Sequence, residues 1–220
     1  MIYYFHYGRF KFLCLVINKQ KNKEYEEEIK VILVGESGTG KTSLINSLQG
    51  YAFYEGTQLT TLLSTFIKIE LTFSKKKYCI NLWDTIGQEK YRSLTNIFLN
   101  GAQIVIFVFD ITSKDSFEQL DYWFDIIERE VGKDIIKGIA ANKIDLFENQ
   151  KVEEDLIEEY SKNKGMKYSY TTATDIKGFR DFLQNLIKDY LKQNKDESRS
   201  NKGQKLDDIT IDNQAHSKCC

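Results

Sequence analysis

The chain has 220 residues, of which 41% are hydrophobic and 13% aromatic, enough for one ordinary domain with a full core and flexible ends. Its formal net charge of -1 gives no overall attraction to nucleic acid, so we expect no nucleic acid among its partners. The four cysteines, Cys14, Cys79, Cys219 and Cys220, show neither metal-ligand spacing nor a disulfide framework, which fits a reducing cytosol.

Residues 1–22 are strongly apolar and aromatic. Their longest uncharged apolar run, 12–17, is far too short to span a bilayer, and Arg9 and Lys11 interrupt the position where a secretory signal has its apolar core. We interpret the segment as an accessory extension. A wrongly assigned start codon and an amphipathic membrane contact are the alternatives.

The stretch from Gly35 to Thr42 has the pattern G-x-x-x-x-G-K-T of a phosphate-binding loop. An apolar strand pattern precedes it and a helical pattern follows, which puts the glycines at a strand-to-helix turn where backbone N–H groups bind phosphate. Lys41 would reach the β- and γ-phosphates, and the Thr42 hydroxyl would bind Mg²⁺. We therefore predict a nucleoside triphosphate site, contacted by Ser37, Gly38, Thr39, Gly40, Lys41, Thr42 and Ser43.

The elements that follow alternate between strand and helix patterns. The predicted strands are 66–71, 78–83, 104–109, 135–141 and 167–170, and the predicted helices are 113–131, 153–163 and one with an apolar stripe over 179–190. This order predicts a doubly wound α/β domain over 23–193, with a mostly parallel sheet and one antiparallel edge strand. From Asn194 the chain turns polar, which predicts a disordered tail over 194–220.

A second motif, Asp84-Thr85-Ile86-Gly87-Gln88, follows the strand that ends at Trp83. The Asp84 carboxylate can hold Mg²⁺ through a water, and the glycine lets a backbone N–H approach a γ-phosphate. Gln88 can orient an attacking water because its amide carries both a donor and an acceptor.

A third motif, Asn142-Lys143-Ile144-Asp145, follows another buried strand. A carboxylate that accepts two hydrogen bonds suits the N1–H and 2-amino groups of guanine, a pair that adenine cannot supply. The apolar stem of Lys143 can lie along the purine face.

With these motifs in this order, the chain resembles a small GTPase of the Ras superfamily, most closely the Rab family. The resemblance covers about 27–193 and the last two residues, and it includes Ser37, Trp83 and the segments 90–95 and 109–112. It implies the P-loop fold of small G proteins, with GTP or GDP and Mg²⁺ as ligands.

The resemblance also assigns residues that the motifs do not. The switch I threonine, a further Mg²⁺ ligand, should be Thr61, with Thr60 as the alternative. Either Phe53 or Tyr54 should pack on the guanosine. The guanine-contacting loop should comprise Thr172, Ala173 and Thr174, with the Ala173 N–H meeting the guanine O6.

Four positions depart from the family pattern. Leu63 stands where glycine is usual after switch I, and Ile86 replaces alanine between Asp84 and Gly87. Thr174 replaces lysine and Ala141 replaces glycine. None of these changes removes a chemical group needed for hydrolysis, so they indicate a divergent member.

The resemblance implies geranylgeranylation of Cys219 and Cys220, and two lipid chains anchor a protein stably where one does not. We expect a lipid-anchored protein at the cytoplasmic face of intracellular membranes, with a soluble cytosolic pool. The implied partners are an exchange factor, a GTPase-activating protein, a GDP-dissociation inhibitor, the prenylation machinery and GTP-dependent effectors.

These features favour a GTP-hydrolysing switch for vesicle traffic, slow without an activating protein, with Gln88 as its catalytic residue. A GTP-binding scaffold that barely hydrolyses is the alternative, suggested by Leu63 and Ile86. A P-loop ATPase or small-molecule kinase is disfavoured by Asn142 and Asp145.

Overall fold

The computed structural model describes residues 2–7, 10–15, 25–50, 65–85, 99–199 and 209–210. Within these residues the main sheet has seven strands, namely β3 (Glu27–Val34), β4 (Thr65–Phe73), β5 (Lys76–Asp84), β6 (Ile104–Asp110), β7 (Ile136–Asn142), β8 (Lys167–Thr171) and the two-residue β9 (Ile209–Thr210). They lie side by side in the order β8-β7-β6-β3-β5-β4-β9.

The pairing along this sheet matches the predicted fold class. Strand β3 runs parallel to β5 and β6, and β6, β7 and β8 are parallel to one another. Strand β4 is antiparallel to β5, and β9 pairs antiparallel with its outer edge. The doubly wound, mostly parallel sheet with an antiparallel strand at one side is therefore confirmed, and β9 is an addition to it.

Five α-helices and a 3₁₀ helix connect the strands of the described chain. They are α1 (Lys41–Leu48), α2 (Lys114–Glu118), α3 (Leu120–Glu130), the 3₁₀ helix (Ile144–Asn149), α4 (Glu154–Asn163) and α5 (Lys177–Arg199). The predicted helix over 113–131 is divided at Gln119, where ψ is -7° instead of a helical value. Ser113 caps its start, accepting a hydrogen bond from the Ser116 N–H.

The core lies on both faces of the sheet. Every residue of β6 is buried, although its side chains alternate between the two faces. Ile106 and Val108 belong to one cluster, which α1 and α5 cover, whereas Phe107 and Phe109 belong to a second, which α3 and α4 cover. Because side chains alternate across a strand, a continuous apolar run serves both clusters. The sheet is thus buried on both sides, and its polar strand ends remain for a ligand.

The two ends of the chain contain secondary structure that was not predicted from the sequence. Residues within the predicted extension form an antiparallel hairpin of β1 (Ile2–Tyr7) and β2 (Phe10–Leu15), which make a separate two-stranded sheet. At the other end, α5 continues past residue 193 to Arg199, so the predicted start of the tail falls inside a helix. The division of the chain into extension, domain and tail stays a prediction. Among the described residues, no helix has the length and apolar character needed to cross a membrane.

Candidate active site

The glycine-rich loop lies between the end of β3 and the start of α1, at the carboxyl edge of the parallel strands. A Cβ atom at Gly35 would lie 2.1 Å from the Val108 carbonyl oxygen, so the loop passes directly over β6. Gly40 has a left-handed φ of 93° and is the N-cap of α1, with no side chain to bond the first N–H groups of the helix. No capping side chain therefore competes with an anion such as phosphate at this helix N-terminus.

Lys41 is the first residue of α1, and its ammonium group closes the loop from within. Its Nζ donates to the carbonyl oxygens of Gly35 and Glu36, at 2.8 Å in each case. Burial lowers the pKa of Lys41 to about 8, although the negative charges of Asp84 and Glu36 act in the opposite direction. A cation held inside a glycine-rich loop suits a phosphate group.

Thr42 and Asp84 bring two oxygen ligands together beside the loop. The Thr42 hydroxyl donates to Asp84 Oδ2 at 2.6 Å, and Asp84 is fully buried at the end of β5. The next residue, Thr85, fixes this strand end by donating to the Leu33 carbonyl at 2.5 Å. Hydroxyl and carboxylate oxygens are the hard ligands that Mg²⁺ prefers, so these residues fit the ion that the resemblance implies.

Asn142 connects the loop to the opposite half of the site. Its Nδ2 donates to the Thr39 carbonyl at 2.7 Å, and its Oδ1 accepts from the Thr171 hydroxyl at 3.1 Å. The side chain is only 1% exposed. Asn142 at the end of β7 therefore links the phosphate loop to β8 through these two hydrogen bonds.

The predicted base-recognition residues lie next to one another beyond β7 and β8. The exposed Asp145 accepts a hydrogen bond from the Thr172 hydroxyl through Oδ1. The hydroxyls of Thr172 and Thr174 lie 2.8 Å apart, and the Thr174 N–H donates to the Thr172 hydroxyl at 3.1 Å. Thr174, the replacement for the usual lysine, therefore supports the residue that contacts Asp145.

Two further contacts hold this region in place. Ser47 on α1 donates to the Ala173 carbonyl at 2.6 Å, which ties the helix after the glycine-rich loop to the predicted base-recognition loop. Lys143 Nζ forms an ion pair with Asp110 Oδ2 at 2.6 Å. The structure thus brings the described candidates of all three motifs to one edge of the sheet.

Several candidates lie outside the described residues. They are the predicted switch residues Thr60, Thr61, Leu63, Ile86, Gly87 and Gln88, the aromatic alternatives Phe53 and Tyr54, and the lipidation candidates Cys219 and Cys220. Their assignments stay predictions.

The sequence reading missed three supporting residues. Trp123 on α3 donates through Nε1 to Glu36 of the phosphate loop at 3.2 Å. Ser47 and Asp110 were not assigned a role either, although Asp110 lies in the segment 109–112 that carries the resemblance. A carboxylate directly after the buried run of β6 was the available signal for Asp110, whereas neither Trp123 nor Ser47 stands out from its helix pattern.

Comparison with known proteins places these features in one family. The sequence model of the Ras family matches residues 30–192. The Ras-related protein Rab-21 of Geodia cydonium is 33% identical over 174 residues, which cover 79% of this chain and 76% of that protein. Human Rab-21 is 33% identical over 159 residues, covering 72% of this chain and 70% of the relative. Mouse Rab-26 is 33% identical over 149 residues, covering 68% of this chain and 57% of the relative.

Proposed function

The chain belongs to the Ras family as a divergent Rab-type small GTPase, and from this we propose that it binds GTP and GDP with Mg²⁺ and hydrolyses GTP. The observation that carries the proposal is the 2.6 Å contact between Thr42 and the buried Asp84, beside a glycine-rich loop at the start of α1. The phosphate-binding loop, the Lys41 ammonium group and the Mg²⁺ ligands would then belong to one site.

The phosphates would be bound by the loop from Ser37 to Ser43, with backbone N–H groups and the N-terminus of α1 as donors. Lys41 would move its hydrogen bonds from the loop carbonyls to the β- and γ-phosphates. Thr42, Asp84 and, in the GTP state, Thr61 would hold the ion. Bound Mg²⁺ would neutralise the negative charge that grows on the phosphates during hydrolysis.

The reaction itself would need a positioned water on the far side of the γ-phosphate. We assign that role to Gln88, with the Gly87 N–H as a donor to the γ-phosphate. GTP would order the segments that contain Thr61 and Gln88 into a partner-binding surface, and hydrolysis would release them.

Guanine selection would come from the second half of the site. Asp145 would accept from the N1–H and the 2-amino group, while the Ala173 N–H would donate to O6. The bonds from Thr172 to Asp145 and from Ser47 to Ala173 support this arrangement, because they hold the loops that carry both groups.

A partner surface next to the γ-phosphate is supported by an aromatic pair. Phe66 is 41% exposed and stacks on Trp83, with ring centroids 4.7 Å apart, and Trp83 directly precedes Asp84. An exposed aromatic side chain of this kind is typical of protein interfaces. We propose GTP-dependent effectors as its partners, with the exchange factor, GTPase-activating protein and GDP-dissociation inhibitor acting on the same domain.

For the setting, we propose the regulation of vesicle and membrane traffic at the cytoplasmic face of intracellular membranes. Geranylgeranyl groups on Cys219 and Cys220, added by the prenylation machinery, would supply the anchor, and a soluble cytosolic pool would exchange with it. The second candidate function is a membrane-bound GTP-binding scaffold with little turnover, favoured by Ile86 beside the catalytic segment.

Single-turnover hydrolysis of GTP with Mg²⁺ tests the proposal. The wild-type chain should hydrolyse slowly, at a rate on the order of 10⁻⁴ s⁻¹ without an activating protein, and Gln88→Leu should slow it further. Gln184→Leu on α5 is the matched control and should keep the wild-type rate. If the chain binds GTP tightly but Gln88→Leu leaves the hydrolysis rate unchanged, the scaffold function is favoured. Failure to bind GTP would overturn both functions.

A further inference from the structure

Asp110 and Lys143 occupy equivalent ends of two neighbouring strands. Asp110 is the last residue of β6, and it pairs in register with Asn142, the last residue of β7. Lys143 follows Asn142 directly and has a left-handed φ of 66°, which only a few per cent of non-glycine residues adopt. The chain therefore turns at Lys143, and the Lys143 side chain reaches Asp110 at the end of the neighbouring strand β6.

The ion pair between them is well fixed on the carboxylate side. Asp110 is 8% exposed, and its Oδ2 lies 2.6 Å from Lys143 Nζ. Its Oδ1 accepts hydrogen bonds from the Thr112 N–H at 2.8 Å and from the Thr112 hydroxyl at 2.7 Å. Both oxygens are thus engaged, so the carboxylate presents a fixed acceptor to the ammonium group.

The lysine stem passes the phosphate loop on its way to Asp110. Lys143 Cε lies 4.0 Å from the position that a Cβ atom would take at Gly40, the N-cap of α1. The Lys143 side chain keeps about a third of its surface exposed, 32%, so part of it faces solvent at the mouth of the site. The end of its apolar stem therefore lies beside the phosphate loop.

We propose that Asp110 is a positioning residue for guanine nucleotide binding, which holds Lys143 so that its stem offers a preformed face to the purine. The inference rests on the proposed nucleotide site. A free lysine would have to lose rotamer freedom when the nucleotide binds, and the ion pair orders it beforehand. Asp110 would therefore slow nucleotide release without touching the nucleotide.

The competing explanation is that Asp110 only caps the turn that begins at Ile111, through its bonds to Thr112. In that case its effect on nucleotide would be independent of Lys143. A double-mutant cycle separates the two explanations, because it measures coupling between the two side chains and cancels a shared effect on folding.

The experiment follows dissociation of the fluorescent analogue mant-GDP from the full chain, chased with GDP in Mg²⁺ buffer. Asp110→Asn keeps an oxygen for Thr112 but removes the charge, and we expect release about fivefold faster, the scale of one partly exposed ion pair. In a Lys143→Met background the same substitution should leave the release rate unchanged. Thr112→Val, which removes one bond to Asp110 but leaves the ion pair, is the matched control and should keep the wild-type rate.

Discrimination between GDP and inosine diphosphate gives a second readout. Inosine lacks the 2-amino group, so the affinity ratio reports on the base edge that Asp145 contacts. Asp110→Asn should leave this ratio unchanged, because the purine face is the same in both nucleotides.

Faster release that persists in the Lys143→Met background would overturn the inference in favour of the capping role, and so would an unchanged rate in Asp110→Asn alone. A wild-type chain that fails to retain mant-GDP would overturn the proposed nucleotide site itself, which is distinguishable from either result.

Discussion

Asn142 Nδ2 donates a 2.7 Å hydrogen bond to the carbonyl oxygen of Thr39, across 103 residues of sequence. The amide is buried, and its oxygen is bonded to Thr171 on β8. A single side chain therefore fixes the phosphate loop relative to the strands that precede the predicted base-recognition residues. Relative placement of these two halves decides whether one nucleotide can reach both.

Asn142→Asp tests this connection with almost no change in volume. The carboxylate loses the donor to Thr39 and turns oxygen toward a carbonyl oxygen in a buried place. We expect the free energy of unfolding to fall by about 2–3 kcal/mol and the GDP affinity to fall more than tenfold. Urea unfolding and calorimetric titration measure the two effects.

Thr171→Val is the control for this prediction, because it removes only the 3.1 Å bond on the other side of the amide. It should cost about 1 kcal/mol and leave GDP binding close to wild type. Equal losses of GDP affinity in both variants would contradict the role given to the Thr39 contact.

Gly40 and Gly38 form a matched pair within the phosphate loop. Both have left-handed φ values, 93° and 81°, but a Cβ atom at Gly40 would lie 2.4 Å from Asn142 Nδ2, whereas at Gly38 it would meet nothing within 4 Å. Alanine at either position costs about 1–2 kcal/mol of backbone strain. Only Gly40→Ala must also displace Asn142, so its melting temperature and its GDP affinity should fall clearly further than those of Gly38→Ala. Equal losses in the two variants would contradict the contact.

The sequence was sufficient to predict a mostly parallel sheet with an antiparallel strand, and it contains the three motifs. The apolar run of β6 was predicted over 104–109 and observed as Ile104–Asp110, because an uninterrupted apolar stretch has few ways to be buried other than inside a sheet. The strand and helix patterns on either side of the glycines predicted the strand-to-helix turn, and the left-handed φ values of Gly38 and Gly40 suit glycine there.

The supporting contacts of the site could not be predicted in this way. Trp123 and Glu36 are 87 residues apart, and their 3.2 Å hydrogen bond depends on how α3 packs against the sheet. The pair of Asp110 and Lys143 depends on the register between β6 and β7 and on the left-handed turn after β7. Periodicity reports the burial of a residue but not its partner, so such contacts appear only once the strands are in register.

Tyr190 on α5 gives the fold a dependence on alkaline pH. Its hydroxyl donates to Glu27 at 2.5 Å, and burial, followed by this hydrogen bond, raises the pKa of Tyr190 to about 12. A raised pKa means that the stabilisation is complete below the ordinary tyrosine pKa of about 10 and is lost as pH rises from there through about 12.

Urea unfolding from about pH 8.5 to about pH 11 measures this effect against Tyr190→Phe, which lacks the titrating group. The wild-type chain should lose about 1.4 kcal/mol more than the variant by about pH 11. Other tyrosines and the lysines titrate equally in both chains and cancel in the difference. Parallel pH profiles would show that Tyr190 titrates normally in the folded chain.

Asp145 should decide which base the site accepts. Asp145→Asn keeps an oxygen that can accept from Thr172 but replaces the second acceptor by an amide donor, which opposes the guanine 2-amino group. We expect GTP affinity to fall about a hundredfold, because the hydrogen bond to the 2-amino group is replaced by two N–H donors that face each other in the bound state. Xanthine carries a carbonyl oxygen at that position, so the affinity for XTP should rise in the same variant.

Competition of GTP, XTP and ATP against mant-GDP on the wild-type and variant chains measures this exchange. Thr172→Val provides the graded control, because it removes the support of Asp145 and leaves the carboxylate. It should lower GTP affinity about fivefold without creating a preference for XTP, since the loss is one hydrogen bond that orients an otherwise intact acceptor. A variant Asp145→Asn that still prefers GTP to XTP would remove Asp145 from the base site, and the guanine edge would then have to be read by the loop from Thr172 to Thr174 alone.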